Sequence, residues 1–173
     1  MFELETETKS KSKGIGGHQS HTMLKDEWLT PPEIINSLGQ FDIDPCSPIH
    51  RPWPTALNHY TINDNGLTKN WTGRVYCNPP YGNQTETWLK KLADHGNGIA
   101  LIFARTETRM FFNQVWNRAD AILFIEGRLF FYHVDGTKAK SNSGAPSCLI
   151  AYGQNNVIAL ERSGIKGKLV KLK

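Results

Sequence analysis

The stretch Asn78-Pro79-Pro80-Tyr81 combines residues whose types and spacing suit chemistry. Asn78 offers a side-chain carbonyl that accepts and an amide that donates. The two prolines stiffen the backbone and lack an N–H, so their carbonyls are free to accept hydrogen bonds from other groups. Tyr81 adds a flat π-face. Together these groups suit a planar ring bearing an exocyclic amine. Two acceptors hold the NH2 while the ring stacks on the tyrosine, a contact worth about 1–3 kcal/mol for a base. The amine lone pair then points away from the acceptors, ready to attack an electrophile. A plain Asn-Pro turn uses the same residue types, so the reading depends on what surrounds the stretch.

Such a stretch must be presented by a strand. Residues 74–77 read as a strand running straight into it, and residues 41–44 read as a second strand running into Asp44-Pro45-Cys46. Thr30-Pro31-Pro32-Glu33 reads as a helix start, with Thr30 as the cap, Pro31 at the first helical position and Glu33 three residues after the cap. Ile34, Ile35 and Leu38 give that helix its apolar face, and Gly39 ends it. Trp88, Leu89, Leu92 and Ala93 fall on one face of a further helix. Residues 107–119 form another, with Phe111, Val115 and Ala119 in register and Thr108 as a candidate cap. The apolar runs 99–104 and 121–125 suit strands buried on both faces, and residues 128–134 and 148–152 complete the strands. Residues 45–70, with four prolines, and 135–146 read as loops. Strands alternating with helices predict an α/β fold, a central mostly parallel sheet flanked by helices. Such sheets bind ligands at the carboxyl ends of their strands, where both unusual endings would lie.

The 173 residues (19.5 kDa) suit one domain with one core. With 39% hydrophobic and 21% charged residues the chain reads as folded and globular. We expect a polar, disordered segment over residues 1–22, a folded domain over 23–155 and a basic tail over 156–173. No apolar run is long enough to span a bilayer, and the polar first residues lack the apolar core of a secretory signal, so a cytoplasmic protein is expected. Twenty Lys and Arg against 16 Asp and Glu give +4. Arg162, Lys166, Lys168, Lys171 and Lys173 follow Glu161 without an acid between them. A polyanion such as nucleic acid would explain that excess, and so would a solvated terminus. Cys46, Cys77 and Cys148 form no CxxC pair and read as buried thiols. His18 and His21 are spaced like a metal pair but lack a third ligand, so no metal is expected.

Six blocks in this order resemble the phage DNA N6-adenine methyltransferase (Dam-like) family over roughly residues 17–153. They are His18-Gln19-Ser20-His21, residues 26–32, residues 41–46, Asn78-Pro79-Pro80-Tyr81-Gly82, residues 104–108 and Gly127-Arg128-Leu129-Phe130. The resemblance implies a Rossmann-like domain that uses S-adenosylmethionine. Asn78, Pro79, Pro80 and Tyr81 take the catalytic positions. Trp28, Thr30 and Pro31 belong to the N-terminal motif over the methionine part of the cofactor, and Asp44, Pro45 and Cys46 to the loop after the first strand where the cofactor sits. Asp64, with Leu67, matches a segment whose acid meets the cofactor adenine. An acid beside the first strand can pair with the cationic end of S-adenosylmethionine or bond its adenine amine. Two departures stand out. The glycine-rich loop usual after the first strand is absent, and no acid lies between Ser47 and Asn63, which leaves Asn58 as a polar candidate for the ribose.

The reaction so implied is methyl transfer to adenine N6 in DNA after the base leaves the duplex. Arg105 and Thr106, after a buried strand, are candidates for contacts to DNA, and Arg128 and Phe130 for the base pocket. A salt bridge, a helix cap or plain strand packing would also account for them. The same pocket chemistry would serve cytosine N4, adenine in RNA or a protein glutamine. The missing glycine loop leaves room for a catalytically silent binding module.

Overall fold

The computed structural model describes residues 27–173. Residues 1–22, expected to be disordered, and His18 and His21 lie outside the described residues. Proline and glycine punctuate the chain where its elements start and stop. Helix α1 (Pro32–Leu38) begins behind Pro31 and closes at Gly39. Strand β1 (Ile43–Asp44) stops at Pro45, which cannot donate to a ladder. Strand β3 (Val75–Cys77) stops one residue before Pro79-Pro80 for the same reason. Helix α2 (Thr85–His95) ends at Gly96, whose φ of 74° is the left-handed conformation glycine adopts without strain. Strands β2 (Asn58–His59), β4 (Gly98–Phe103), β5 (Ala121–Ile125), β6 (Ser147–Tyr152) and β7 (Gly167–Lys171), with helices α3 (Arg109–Phe111) and α4 (Gln154–Arg162), complete the fold.

Among the described residues seven strands join one sheet in the order β2-β1-β3-β4-β6-β5-β7. The sheet is mixed rather than mostly parallel. Strands β2, β1, β3 and β4 are parallel neighbours, whereas β6 pairs antiparallel with both β4 and β5, and β7 antiparallel with β5. The chain leaves β5 at the carboxyl edge, crosses that edge as residues 126–146 and re-enters the sheet there as β6, so β6 must run the opposite way.

Alternation along the strands splits the core. Val75, Cys77, Ala100, Ile102, Ile122 and Ile150 face α2 and the α3 region. Tyr76, Ile99, Leu101, Leu123 and Leu149 face α1 and α4. All six residues of β4 are buried, as its unbroken apolar run predicts.

Three further expectations change. Residues 107–119 are helical only in part: Thr108 caps α3 by accepting from the Phe111 N–H, as expected, but Phe112–Trp116 then form a π-turn. Tyr152 donates its hydroxyl to the Gln114 carbonyl (2.7 Å), using a main-chain acceptor in that wider turn. Residues 128–134 form no strand; Tyr132 alone makes isolated bridges, to Leu29 and to Lys138. Residues 156–173, expected as a tail, lie in the body of the fold. They supply most of α4, which buries Val157 and Leu160, and all of β7, which pairs with β5 in full register.

Candidate active site

The carboxyl ends of β1, β3 and β4 open into a cavity of about 1370 Å³. Its walls come from four segments that the sheet brings together: residues 27–30, the loops after β1 and β2, the stretch after β3, and the crossing loop 126–146. Leu29 and Tyr132 exchange main-chain hydrogen bonds (2.8 and 3.0 Å), which fastens the first segment to the last. The rings of Trp28 and His133 meet beside that bridge, with centroids 4.7 Å apart.

Asn78, Pro79, Pro80 and Tyr81 all line the cavity. The Asn78 amide donates to the Trp28 carbonyl (3.4 Å), while its carbonyl oxygen is buried without a partner among the described residues. A buried acceptor left open in a site costs free energy that a ligand donor recovers. Pro80's carbonyl accepts from the Thr85 hydroxyl at the start of α2 (2.8 Å), so the stretch is anchored at its far end. Of the two proline carbonyls expected to be free, Pro79's is therefore the one left to a ligand. The Tyr81 ring lies nearly parallel to Phe103, at 4.2 Å and 11°, and its hydroxyl is buried without a partner. Burial pushes the Tyr81 phenol far above its ordinary range, so it stays neutral.

Asp44, Pro45 and Cys46 also line the cavity, beside that turn. Asp44 is 3% exposed. Its carboxylate accepts from the Thr55 hydroxyl (2.5 Å) and the Cys46 N–H (3.1 Å). Burial raises its pKa from 3.8 to about 6, with the two hydrogen bonds and the charge of Arg51 opposing. Thr55 is presented by a loop that His59 braces: His59 Nε2 accepts from the N–H groups of Thr55 and Ala56 (3.2 and 3.3 Å). The Cys46 thiol donates to the main-chain carbonyl of Asn78 (3.3 Å) and lies 3.7 Å from the Cys77 sulfur. The two strand endings are thus in direct contact, and all three cysteines are free thiols.

The lower wall comes from residues 61–67. Gly66 packs so closely that a Cβ there would sit 1.9 Å from the Pro45 carbonyl, which requires glycine. Lys91 on α2 donates to the carbonyls of Leu67 (2.7 Å) and Lys69 (2.5 Å) and pins this turn.

Some predicted residues sit elsewhere. Trp28 and Thr30 line the cavity, but Thr30 does not cap α1; its hydroxyl is shared with that of Tyr76 (2.7 Å), and Pro31 takes the cap position, buried beneath. Asp64 is exposed and accepts from the N–H and hydroxyl of Thr61 (2.8 and 2.9 Å), stabilising its own turn instead of facing the cavity. Asn58 is also exposed and donates to the Asp42 carbonyl. Arg105 and Thr106 follow β4 outside the cavity wall, where Thr106 accepts from the Trp116 indole. Arg128 reaches the Ser143 carbonyl (3.5 Å). Phe130 is 38% exposed under Lys138, whereas its neighbour Phe131, 6% exposed, lines the cavity. Residues 139–143 fall in the polar loop read over 135–146, whereas Phe131, His133 and Val134 carry no sequence signal for the site. Their tie to Leu29 spans about a hundred residues and leaves no local period.

The fold and the site define an α/β protein with a large cavity lined by both a buried carboxylate and a rigid Asn-Pro-Pro-Tyr turn. The chain belongs to the DNA N-6-adenine-methyltransferase (Dam) family, whose model matches residues 17–162, and it is therefore an enzyme of that class. The mixed α/β sheet is compatible with a methyltransferase fold. No curated protein and no solved structure matched the chain. Among the described residues no group of His, Cys, Asp and Glu is arranged to hold a metal ion, and no helix is long and apolar enough to cross a membrane.

Proposed function

We propose that the protein transfers the methyl group of S-adenosylmethionine to N6 of an adenine turned out of DNA. The observation that carries this reading is the open Asn78 carbonyl oxygen, buried in the same turn as the Tyr81 ring. It suits the exocyclic amine of a stacked base. The cavity exceeds the roughly 300–1,000 Å³ of a pocket for one small molecule, as a site for two reactants should.

The chain's residues fit the cofactor. Asp44 is a buried carboxylate at the carboxyl end of β1, suited to a cationic group; its own desolvation is relieved when a positive charge arrives. Gly66 and Pro45 leave no side chain between main chain and ligand at the lower wall. Thr61 and Asn65, which line that wall, offer polar groups for a ribose in place of the absent acid. When bound, S-adenosylmethionine supplies an electrophilic methyl group.

The remaining work is orientation. Asn78 Oδ1 and the Pro79 carbonyl accept from the two amine hydrogens, which leaves the nitrogen lone pair directed away from both acceptors. Tyr81 fixes the plane of the base. Extracting the base costs a few kcal/mol, which stacking and the two acceptors offset. The amine becomes acidic only as the new bond forms, so no strong base is required. Positioning two reactants in this way supplies much of the rate.

The test is mass spectrometry of nucleosides from unmethylated DNA incubated with protein and S-adenosylmethionine, beside an Asn78→Ala control. N6-methyladenine with the wild type alone supports the proposal. N4-methylcytosine keeps the mechanism and changes the base. No modified nucleoside from folded protein rejects DNA as the substrate.

A further inference from the structure

We infer that Phe103 is a positioning residue for the acceptor base, acting through Tyr81; the inference rests on the proposed role of Tyr81 as a stacking surface. Cys77 pairs with Ala100 at the end of β3, and beyond that register β3 no longer accompanies β4. Residues 78–81 turn away there, while β4 runs three residues further to Phe103. Tyr81 thereby comes to rest on the last side chain of the central strand, at 4.2 Å and nearly parallel. Phe103 cannot follow a moving partner. It is 8% exposed and its main chain is paired with Ser147 of β6.

Tyr81, in contrast, has no hydrogen bond to fix its plane. Its hydroxyl has no partner among the described residues, and the next residue, Gly82, has a φ of 121° with no atom near a would-be Cβ. The stacked Phe103 ring is the flat surface against which Tyr81 is set. The same contact decides which face of Tyr81 is available. A base inserted between the two rings would need a separation of about 7 Å, two contact distances. At 4.2 Å the inner face is closed, so the base must take the outer one, and Phe103 becomes the lower layer of a three-ring stack.

The experiment measures binding of a single-stranded oligo(dA) by fluorescence anisotropy, and of S-adenosylmethionine by calorimetry, in wild type, Tyr81→Ala, Phe103→Leu and Phe103→Tyr. Leucine fills the space without a plane. We expect Phe103→Leu to weaken oligo(dA) by about 3- to 10-fold, the scale of one aromatic pair. Tyr81→Ala should weaken it at least as much, Phe103→Tyr should restore it, and cofactor affinity should stay constant throughout. With unmethylated DNA as substrate the loss should fall on KM more than on kcat. Undiminished oligo(dA) binding in Phe103→Leu overturns the inference, as does failure of Phe103→Tyr to restore it or a parallel loss of cofactor binding. If the wild type methylates no DNA while the oligo(dA) pattern appears, the proposed reaction fails and the positioning role stands.

Discussion

The Asp44 carboxylate is held 2.5 Å from the Thr55 hydroxyl on a wall of the cavity, with burial raising its pKa from 3.8 to about 6. Because the folded value lies above the unfolded one, the neutral acid favours the fold. Its contribution is complete below pH 3.8 and is lost as pH rises through 6. The difference corresponds to roughly 3 kcal/mol. Asp44→Asn should therefore be more stable than wild type at pH 7–8, by up to about that amount, in chemical denaturation. The same variant should bind S-adenosylmethionine about 10- to 100-fold more weakly, the scale of a charged hydrogen bond. Wild-type affinity should rise through pH 6 and the variant's should not. An Asp44→Asn protein that gains stability and loses no affinity would remove Asp44 from the cofactor site.

His59 should show the opposite slope. Burial first, and the charge of Arg51 second, lower its pKa from 6.5 to about 4. Its Nε2 is occupied as an acceptor by two N–H groups. A folded value below the unfolded one means that its contribution is present above pH 6.5 and is lost as pH falls toward 4. Between pH 4 and 6 the two residues therefore oppose each other, and wild-type stability should vary little with either. His59→Gln keeps an acceptor without titrating, so its stability should fall with rising pH across that window. Asp44→Asn should show stability rising toward pH 6.5. Urea midpoints at half-unit pH steps would distinguish these profiles, and parallel profiles for both variants would contradict them.

Asn78→Ala removes the open acceptor while leaving the strand ending and Pro80's anchor on Thr85 in place. We expect kcat to fall by about 10²–10³, as when one preorganised hydrogen-bonding group is lost from other active sites. Cofactor affinity should stay within a factor of about two, since the Asp44 wall is unchanged. Equal losses in rate and cofactor binding by a folded variant would assign Asn78 to the cofactor instead.

What the sequence shows well is whatever leaves a local trace. The apolar run of β4, the helical spacing of Trp88, Leu89 and Leu92, and the proline-terminated endings after Asp44 and Asn78 each follow from neighbours in the chain. Thr30 shows the limit. Its position before Pro31 reads as a cap, yet a buried tyrosine 46 residues away takes its hydroxyl. Asp64 shows a local limit: Thr61, three residues away, engages one of its oxygens in a turn, and the residue does not line the cavity. Thr55, Phe131 and His133 enter the site only through tertiary pairing, and β7 is hidden because lysines flanking the short apolar pair Leu169-Val170 on an edge strand look like a solvated tail.

The bond between Thr30 and Tyr76 offers the sharpest test of how the N-terminal wall is held. Both residues are buried, and each hydroxyl has the other as its partner at 2.7 Å. Tyr76→Phe leaves the Thr30 hydroxyl buried without its partner and should cost about 1–3 kcal/mol. Thr30→Val should cost a similar amount by stranding the Tyr76 phenol. Removing both leaves no unpaired group, so the double variant should lose less than the sum of the singles, with a coupling of about 1 kcal/mol or more. Denaturation of the four proteins gives that coupling directly. Strictly additive losses would mean that packing around Leu29 and Trp28, rather than this bond, keeps the wall against the sheet.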